Sequence, residues 1–221
     1  MRRSIHSLVG VALLIAVSLS SGCAHSLVVK NLDKYQTFTA NSLKKPLTLG
    51  IVPQGQADQK LINGIAAQLG TFQAKVIMPY TASAKNVDVV AAIGINSKYD
   101  GSGWNFLVNF PGFLVFAPAW HGYVYEVTHA INVQLNRGAD NEQIDTFTIP
   151  VVLDIRHADI DRTWTEVSWF EVGAIAFVGG IIFIQYDDDV TPLLADKIST
   201  PIGTYVAQEI VNRINYKGDR D

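Results

Sequence analysis

Residues 123–137 read YVYEVTHAINVQLNR, and this stretch decides the fold. Tyr125, Val127, His129, Ile131, Val133 and Leu135 take every second position, with Glu126, Thr128, Asn132, Gln134 and Asn136 set between them. A period of two is that of a strand whose side chains alternate between faces, so the stretch predicts a long strand with one face buried. Arg137-Gly138-Ala139-Asp140 supplies a turn, and the chain returns from Ile144 to Ile155 with Phe147, Ile149, Val151 and Leu153 sharing a face. The two strands are expected to pair as an antiparallel hairpin. Pro150 has no N–H to give to a ladder, which puts a free edge or a bulge in the second strand.

Upstream, Leu47 to Val52 is a buried strand ended by Pro53-Gln54-Gly55. Asp58 caps a helix whose inner face is Leu61, Ile62, Ile65, Ala66 and Leu69, with Gly70 expected to close it. Ala74 to Met78 and Val87 to Ile95 then form two more strands, a β-α-β opening followed by a further strand. Asn96 to Gly103 is expected to be a loop. Its Asp100-Gly101-Ser102-Gly103 is a turn signal and not a phosphate cradle, since it opens onto an apolar stretch without the longer glycine pattern. Downstream, Thr191-Pro192 and Thr200-Pro201 each set a capping residue before a proline at a first helical position. Two C-terminal helices are expected, the second packing through Ile202, Val206, Ile210 and Ile214. The fold class predicted is mixed α+β: a β-α-β opening, a long antiparallel hairpin and two C-terminal helices packed on the sheet.

The N-terminus has a different logic. Arg2 and Arg3 precede an apolar run from Leu8 to Val17 and then Leu19-Ser20-Ser21-Gly22-Cys23. A basic start, a short apolar core and small residues make a secretory signal, and the run is shorter than the roughly 20 residues a bilayer span needs. Cys23 is the sole cysteine, so it has no disulfide partner in the chain. The residues before Cys23 resemble the lipobox of bacterial lipoproteins of the Gram-negative envelope, with Ser20 standing where an aliphatic residue is usual. That resemblance implies cleavage before Cys23, acylation of Cys23 by three chains including palmitate, and, because Ala24 stands where aspartate would retain the protein, sorting to the periplasmic face of the outer membrane. The expected division is residues 1–22 signal peptide, 23–45 lipidated N-terminus and tether leading into an edge strand, 46–216 one α/β domain and 217–221 a polar tail.

Cleavage removes Arg2 and Arg3 and no acid, leaving 15 basic against 20 acidic residues. A mildly acidic chain without a basic tract is not built for nucleic acid. Two segments stand out by hydropathy. Residues 104–120, WNFLVNFPGFLVFAPAW, carry no charge, and residues 169–186, WFEVGAIAFVGGIIFIQY, carry only Glu171. Aromatic residues flanking apolar stretches suit a membrane interface, whereas Pro111, Gly112, Pro118 and Gly179-Gly180 break them up in the way of core segments. Trp104, Phe106, Phe110, Phe113, Phe116, Trp120, Trp169, Phe170, Phe177 and Phe183 are therefore the candidates for membrane or partner contact.

Catalytic signals are weak. His157, Asp159 and Asp161 would share a side of an extended chain and could hold a divalent metal as the centre of a hydrolase, but Arg156 and Arg162 beside them favour a salt-bridged turn. Asp187-Asp188-Asp189 lacks the glycine and distal glutamate of a calcium loop. No Gly-x-Ser-x-Gly elbow exists, and neither His121 nor His129 has an evident nucleophile in sequence. No cofactor or metal is expected. The sequence favours a non-enzymatic binding or assembly factor anchored to the membrane, with an envelope protein or further copies of itself as partner; an oligomeric, membrane-inserting subunit using residues 104–120 and 169–186 is the alternative. In architecture alone the pattern is similar to the small α/β domains of lipoproteins that build secretion pores or activate cell-wall synthases.

Overall fold

The computed structural model describes residues 26–36, 42–81, 87–109, 111–115, 117–158 and 190–218. Its elements in chain order are β1 (Ser26–Val29), a 3₁₀ turn (Leu32–Tyr35), β2 (Leu47–Gln54), α1 (Gln59–Thr71), β3 (Ala74–Ile77), β4 (Val89–Gly101), α2 (Trp104–Asn109), a second 3₁₀ turn (Gly112–Val115), α3 (Ala117–Trp120), β5 (Tyr123–Arg137), β6 (Gln143–Ala158) and α4 (Thr191–Gly218). The strands form one six-stranded sheet in the order β1-β6-β5-β4-β2-β3. The mixed α+β class expected from the alternation is the one observed.

The hairpin is the spine of the sheet. Along β5, Tyr123, Tyr125, Val127, His129, Ile131, Val133 and Leu135 are all buried, and along β6 so are Ile149, Val151, Leu153 and Ile155. The Arg137 amide bonds to the Glu142 carbonyl at 2.7 Å where the chain reverses, which fixes the antiparallel pairing. On the other flank β2 runs parallel to both β3 and β4, with Leu49 opposite Val76 and Val89. Parallel neighbours need a crossover, and α1 provides it between β2 and β3.

The chain divides into two compact units, 29–99 with 126–154 and 187–221 forming the larger, and 1–28 with 100–125 and 155–186 the smaller. In the larger unit α1 and α4 pack together on the inward face of the sheet. The Asp58 side chain accepts hydrogen bonds from the Lys60 and Leu61 amides, the cap the sequence implied. A Cβ on Gly64 would collide with the Ser199 carbonyl oxygen, and one on Gly203 would lie 2.7 Å from the Gly64 carbonyl carbon, so the two helices touch backbone to backbone.

Three local expectations are corrected. The C-terminus is one helix, not two: α4 runs through Pro201. Proline in a helix interior costs about 3 kcal/mol, but Leu194, Ala195 and Ile198 before it and Ile202, Val206, Ala207, Ile210 and Val211 after it form one buried stripe. Continuous burial on both sides outweighs the single missing hydrogen bond. Asn96 to Gly101 is strand and not loop, because β5 extends far enough to hold it, with the Ser102 amide on the Val124 carbonyl at 3.0 Å. Gly70 lies inside α1; the left-handed residue past its end is Gln73, at φ 70°.

The edge strand is β1 (Ser26–Val29), at the start of the stretch read as a tether and not at its end, and residues 26–36 finish the sheet in an unusual way. The Lys30 amide bonds to the Asp154 carbonyl at 2.9 Å, after which β1 has ended. The Asn31 amide group then donates to the Val152 carbonyl and accepts from the Asp154 N–H, both at 3.0 Å. The Tyr35 hydroxyl donates to the Val152 carbonyl at 3.1 Å and accepts from the Val152 N–H at 2.8 Å. Two side chains thus stand in for a strand on the edge of β6, and Pro150 follows on the same strand with no N–H to protect.

Candidate functional site

In the smaller unit, residues 100–125 fold as short helical turns between the end of β4 and the start of β5. Asn105, fully buried, anchors them: its Nδ2 donates to the Val124 carbonyl at 3.0 Å and its Oδ1 accepts from the Val124 N–H at 2.7 Å. The Tyr123 hydroxyl donates to Asn109 Oδ1 at 3.2 Å in a buried setting. Gly122 closes the segment at φ 74°, its amide on the Ala117 carbonyl, and a Cβ there would lie 2.5 Å from the His157 carbonyl oxygen. Glycine is the residue that such a turn requires.

This scaffold buries Asn105, Val108, Asn109, Ala117 and Pro118 and turns other members of the segment outward. Trp104 is 64% exposed, Leu107 46%, Val115 62% and Trp120 66%. Trp104 and Leu107 share a helix face three residues apart. The Trp120 Nε1 donates to the Val115 carbonyl at 2.8 Å, so its one polar group is satisfied internally and the ring offers apolar surface outward. Phe106 is half-buried. The backbone of Phe113 lies in the second 3₁₀ turn. Phe110, Phe116, Trp169, Phe170, Phe177 and Phe183 fall outside the described residues, as do Cys23, Asp159 and Asp161. Sequence reasoning passed over Leu107 and Val115; the helical spacing from Trp104 was the available signal for the first.

The larger unit holds a Ser–His pair that the sequence did not bring together. Ser97 Oγ lies 2.8 Å from His129 Nδ1, across β4 and β5. Three features of its described surroundings differ from those of a nucleophile–base pair. Among the described residues, buried His129 Nε2 has no hydrogen-bond partner, and no carboxylate orients the ring. Burial holds the imidazole pKa down at about 4, with the Asp58 carboxylate opposing it, and a base that weak accepts little proton near neutrality. The cavity beside it, lined by Asp58, Leu61, Tyr99, Thr191, Leu194, Ala195 and Ile198, measures about 10 Å³, the room of one water. His157 is buried on the inward face of β6, at 3% exposure. Among the described residues no group of three or more His, Cys, Asp or Glu could hold a metal ion.

A second concavity of about 690 Å³ opens beside the β5–β6 turn, floored by Val52, Val90 and Ala92, walled by Tyr80 and rimmed by residues 136–141. Its charges are already engaged: Arg137 bonds to Glu142 at 2.6 Å and to Asp140 at 3.3 Å. The Glu142 amide, and then Arg137, hold the Asp140 carboxyl below its usual range.

No protein-family model matches the chain, and no curated protein sequence matches it. Solved structures give slight likenesses. The rare lipoprotein B of Shewanella oneidensis is 10% identical at a TM-score of 0.31, over 68% of this chain and 96% of that one. A minor lipoprotein of Acinetobacter baumannii is 10% identical at 0.30, over 70% and 93%. A putative neuraminyllactose-binding hemagglutinin homolog of Helicobacter pylori is 9% identical at 0.30, over 72% and 96%. Likeness this slight sets neither fold nor role; the exposed apolar segment is a property of this chain's own residues. Among the described residues no helix is long and apolar enough to cross a membrane.

Proposed function

We propose that this protein is a lipid-anchored component of the bacterial envelope that works by contact and catalyses no reaction, a binding or assembly factor held through Cys23 at the periplasmic face of the outer membrane. The observation that carries the reading is the outward display of Trp104, Leu107, Val115 and Trp120 on a segment pinned from inside by Asn105 and Gly122. Large apolar side chains gathered on a surface mark a place of association. Enzymes instead converge polar groups in a cleft, and the Ser97–His129 pair has neither the basicity nor the space for a substrate.

The test has two parts. Mass spectrometry of the N-terminal peptide of the mature protein is expected to find Cys23 first and acylated; an unmodified chain recovered from the soluble fraction overturns the anchor. Photo-crosslinking residues placed at Leu107 and Val115 in cells are expected to capture envelope material, lipid or protein, at both positions, with controls at exposed Lys44 and Asp196 capturing little. Equal capture at all four positions overturns a dedicated contact surface.

A further inference from the structure

We infer that the exposed face of residues 104–120 seats on the lipid surface itself, so that the smaller unit lies in contact with the membrane that carries it. This deepens the proposed function and rests on its reading of Cys23 as the anchor.

Covalent geometry sets the first constraint. The described residues begin at Ser26, three positions after Cys23. An extended chain spans at most about 3.6 Å per residue, so Ser26 is held within roughly 11 Å of the acylated cysteine. The sequence suggested a tether reaching to residue 45, but β1 enters the sheet long before that. The unit bearing the anchor therefore has no slack with which to stand away from the bilayer.

Composition sets the second. Ser26 to Val28 and residues 100–125 belong to that same compact unit. Of the eight large hydrophobic residues exposed among those described, five are in it: Val28, Trp104, Leu107, Val115 and Trp120. Residues 104–120 contain no charged side chain, so lowering this face onto a headgroup layer strands no ion in a poor solvent. Tryptophan is the side chain most at home at the interface between acyl chains and water. Trp120 also has its N–H bonded to Val115, so its indole enters with no unsatisfied donor. A protein partner would be expected to meet some charged or hydrogen-bonding rim within the segment, and 104–120 offers none with charge. One further consequence concerns strength: acyl chains fix the protein to the membrane, and the aromatic face fixes its orientation.

The experiment uses the full-length mature protein, purified with its N-terminus intact and reconstituted into phosphatidylethanolamine and phosphatidylglycerol vesicles. The vesicles carry bromine either high or low on the acyl chains, and bromine quenches tryptophan emission at contact. Wild type is compared with the double variant Trp104→Phe/Trp120→Phe, which keeps the apolar surface and leaves Trp164 and Trp169 as emitters. The shallow label is expected to quench the wild type at least about twofold more than the variant, and more than the deep label does, as an interfacial seat requires. Equal quenching of the two proteins with Cys23 acylated overturns the lipid seat and leaves the anchor standing. Stronger quenching by the deep label overturns an interfacial seat in favour of insertion. If Cys23 proves unmodified, the anchor fails; the same vesicles added to the protein in solution then decide the face separately, by whether Trp104 and Trp120 are quenched.

Discussion

Acid should weaken this protein through one histidine. His129 is 4% exposed and its pKa is lowered to about 4 by burial, against 6.5 for an unhindered imidazole. The unfolded chain takes up a proton as the pH drops below 6.5, whereas the native state leaves His129 neutral until about 4. Stability is therefore full above pH 6.5, falls as the pH goes from 6.5 to about 4, and levels off below. At 1.36 kcal/mol per pH unit the loss is about 3 kcal/mol from this residue, a sizeable part of the 5–15 kcal/mol typical of a domain. Urea unfolding followed by circular dichroism across that range is the assay, with His129→Gln as the comparison. An amide can keep a bond to Ser97 and does not titrate. The chain has five histidines, so the difference between the two profiles, not the slope of either, isolates this one. The variant is expected to lose about 3 kcal/mol less than wild type on going from neutrality to about pH 4. Parallel profiles would refute the reasoning, and so would an NMR titration placing the His129 midpoint near 6.5.

Other expectations follow from the packing. Gly64→Ala should destabilise by about 1–2 kcal/mol in urea, since overpacking against the Ser199 carbonyl exceeds the gain in helix propensity. Gly70→Ala, in the same helix with nothing within 4 Å, should stabilise by up to about 1 kcal/mol, so a common sign for the two would refute the close approach of α1 to α4. Asn105→Ala removes both bonds to Val124 from a fully buried site and should lower stability by about 2–4 kcal/mol, measured by thermal unfolding of the purified protein. Tyr35→Phe should change stability by no more than about 1 kcal/mol yet raise concentration-dependent association in light scattering, because it takes the acceptor from the Val152 N–H on the edge of β6 while Asn31 still covers the carbonyl.

The strands and α1 were legible because period and burial agree there. Every β5 residue that the alternation assigned to the inner face is buried, with Tyr123 continuing the same face, and Asp58 caps the helix it was expected to cap. The joins were less legible. Thr200-Pro201 is a sound start signal, overridden because the buried stripe from Leu194 to Val211 does not pause for it. Asp100-Gly101 reads as a turn, but pairing with β5 keeps it extended. Residues 104–120 were legible as unusual and not as oriented, since short helical turns, with Pro111 between the first two and Pro118 inside the last, carry no period long enough to tell an inner from an outer side. Asn105, which pins them, acts through a bond to a residue 19 positions away, and Ser97 meets His129 across 32. Pairings at that distance leave no mark in local sequence.

The cover over β6 also has a place in time. Asn31 and Tyr35 meet Val152 and Asp154 from 117 to 123 residues away, so among the described hydrogen bonds these span some of the longest stretches of chain. A chain that emerges N-terminus first, from a ribosome or through a translocation channel, presents the two covering side chains well before the strand they cover. The vulnerable edge of β6 is thus born into a molecule that already holds its guard, and the interval in which a neighbouring chain could claim it is set only by how quickly the ends of that long loop find each other.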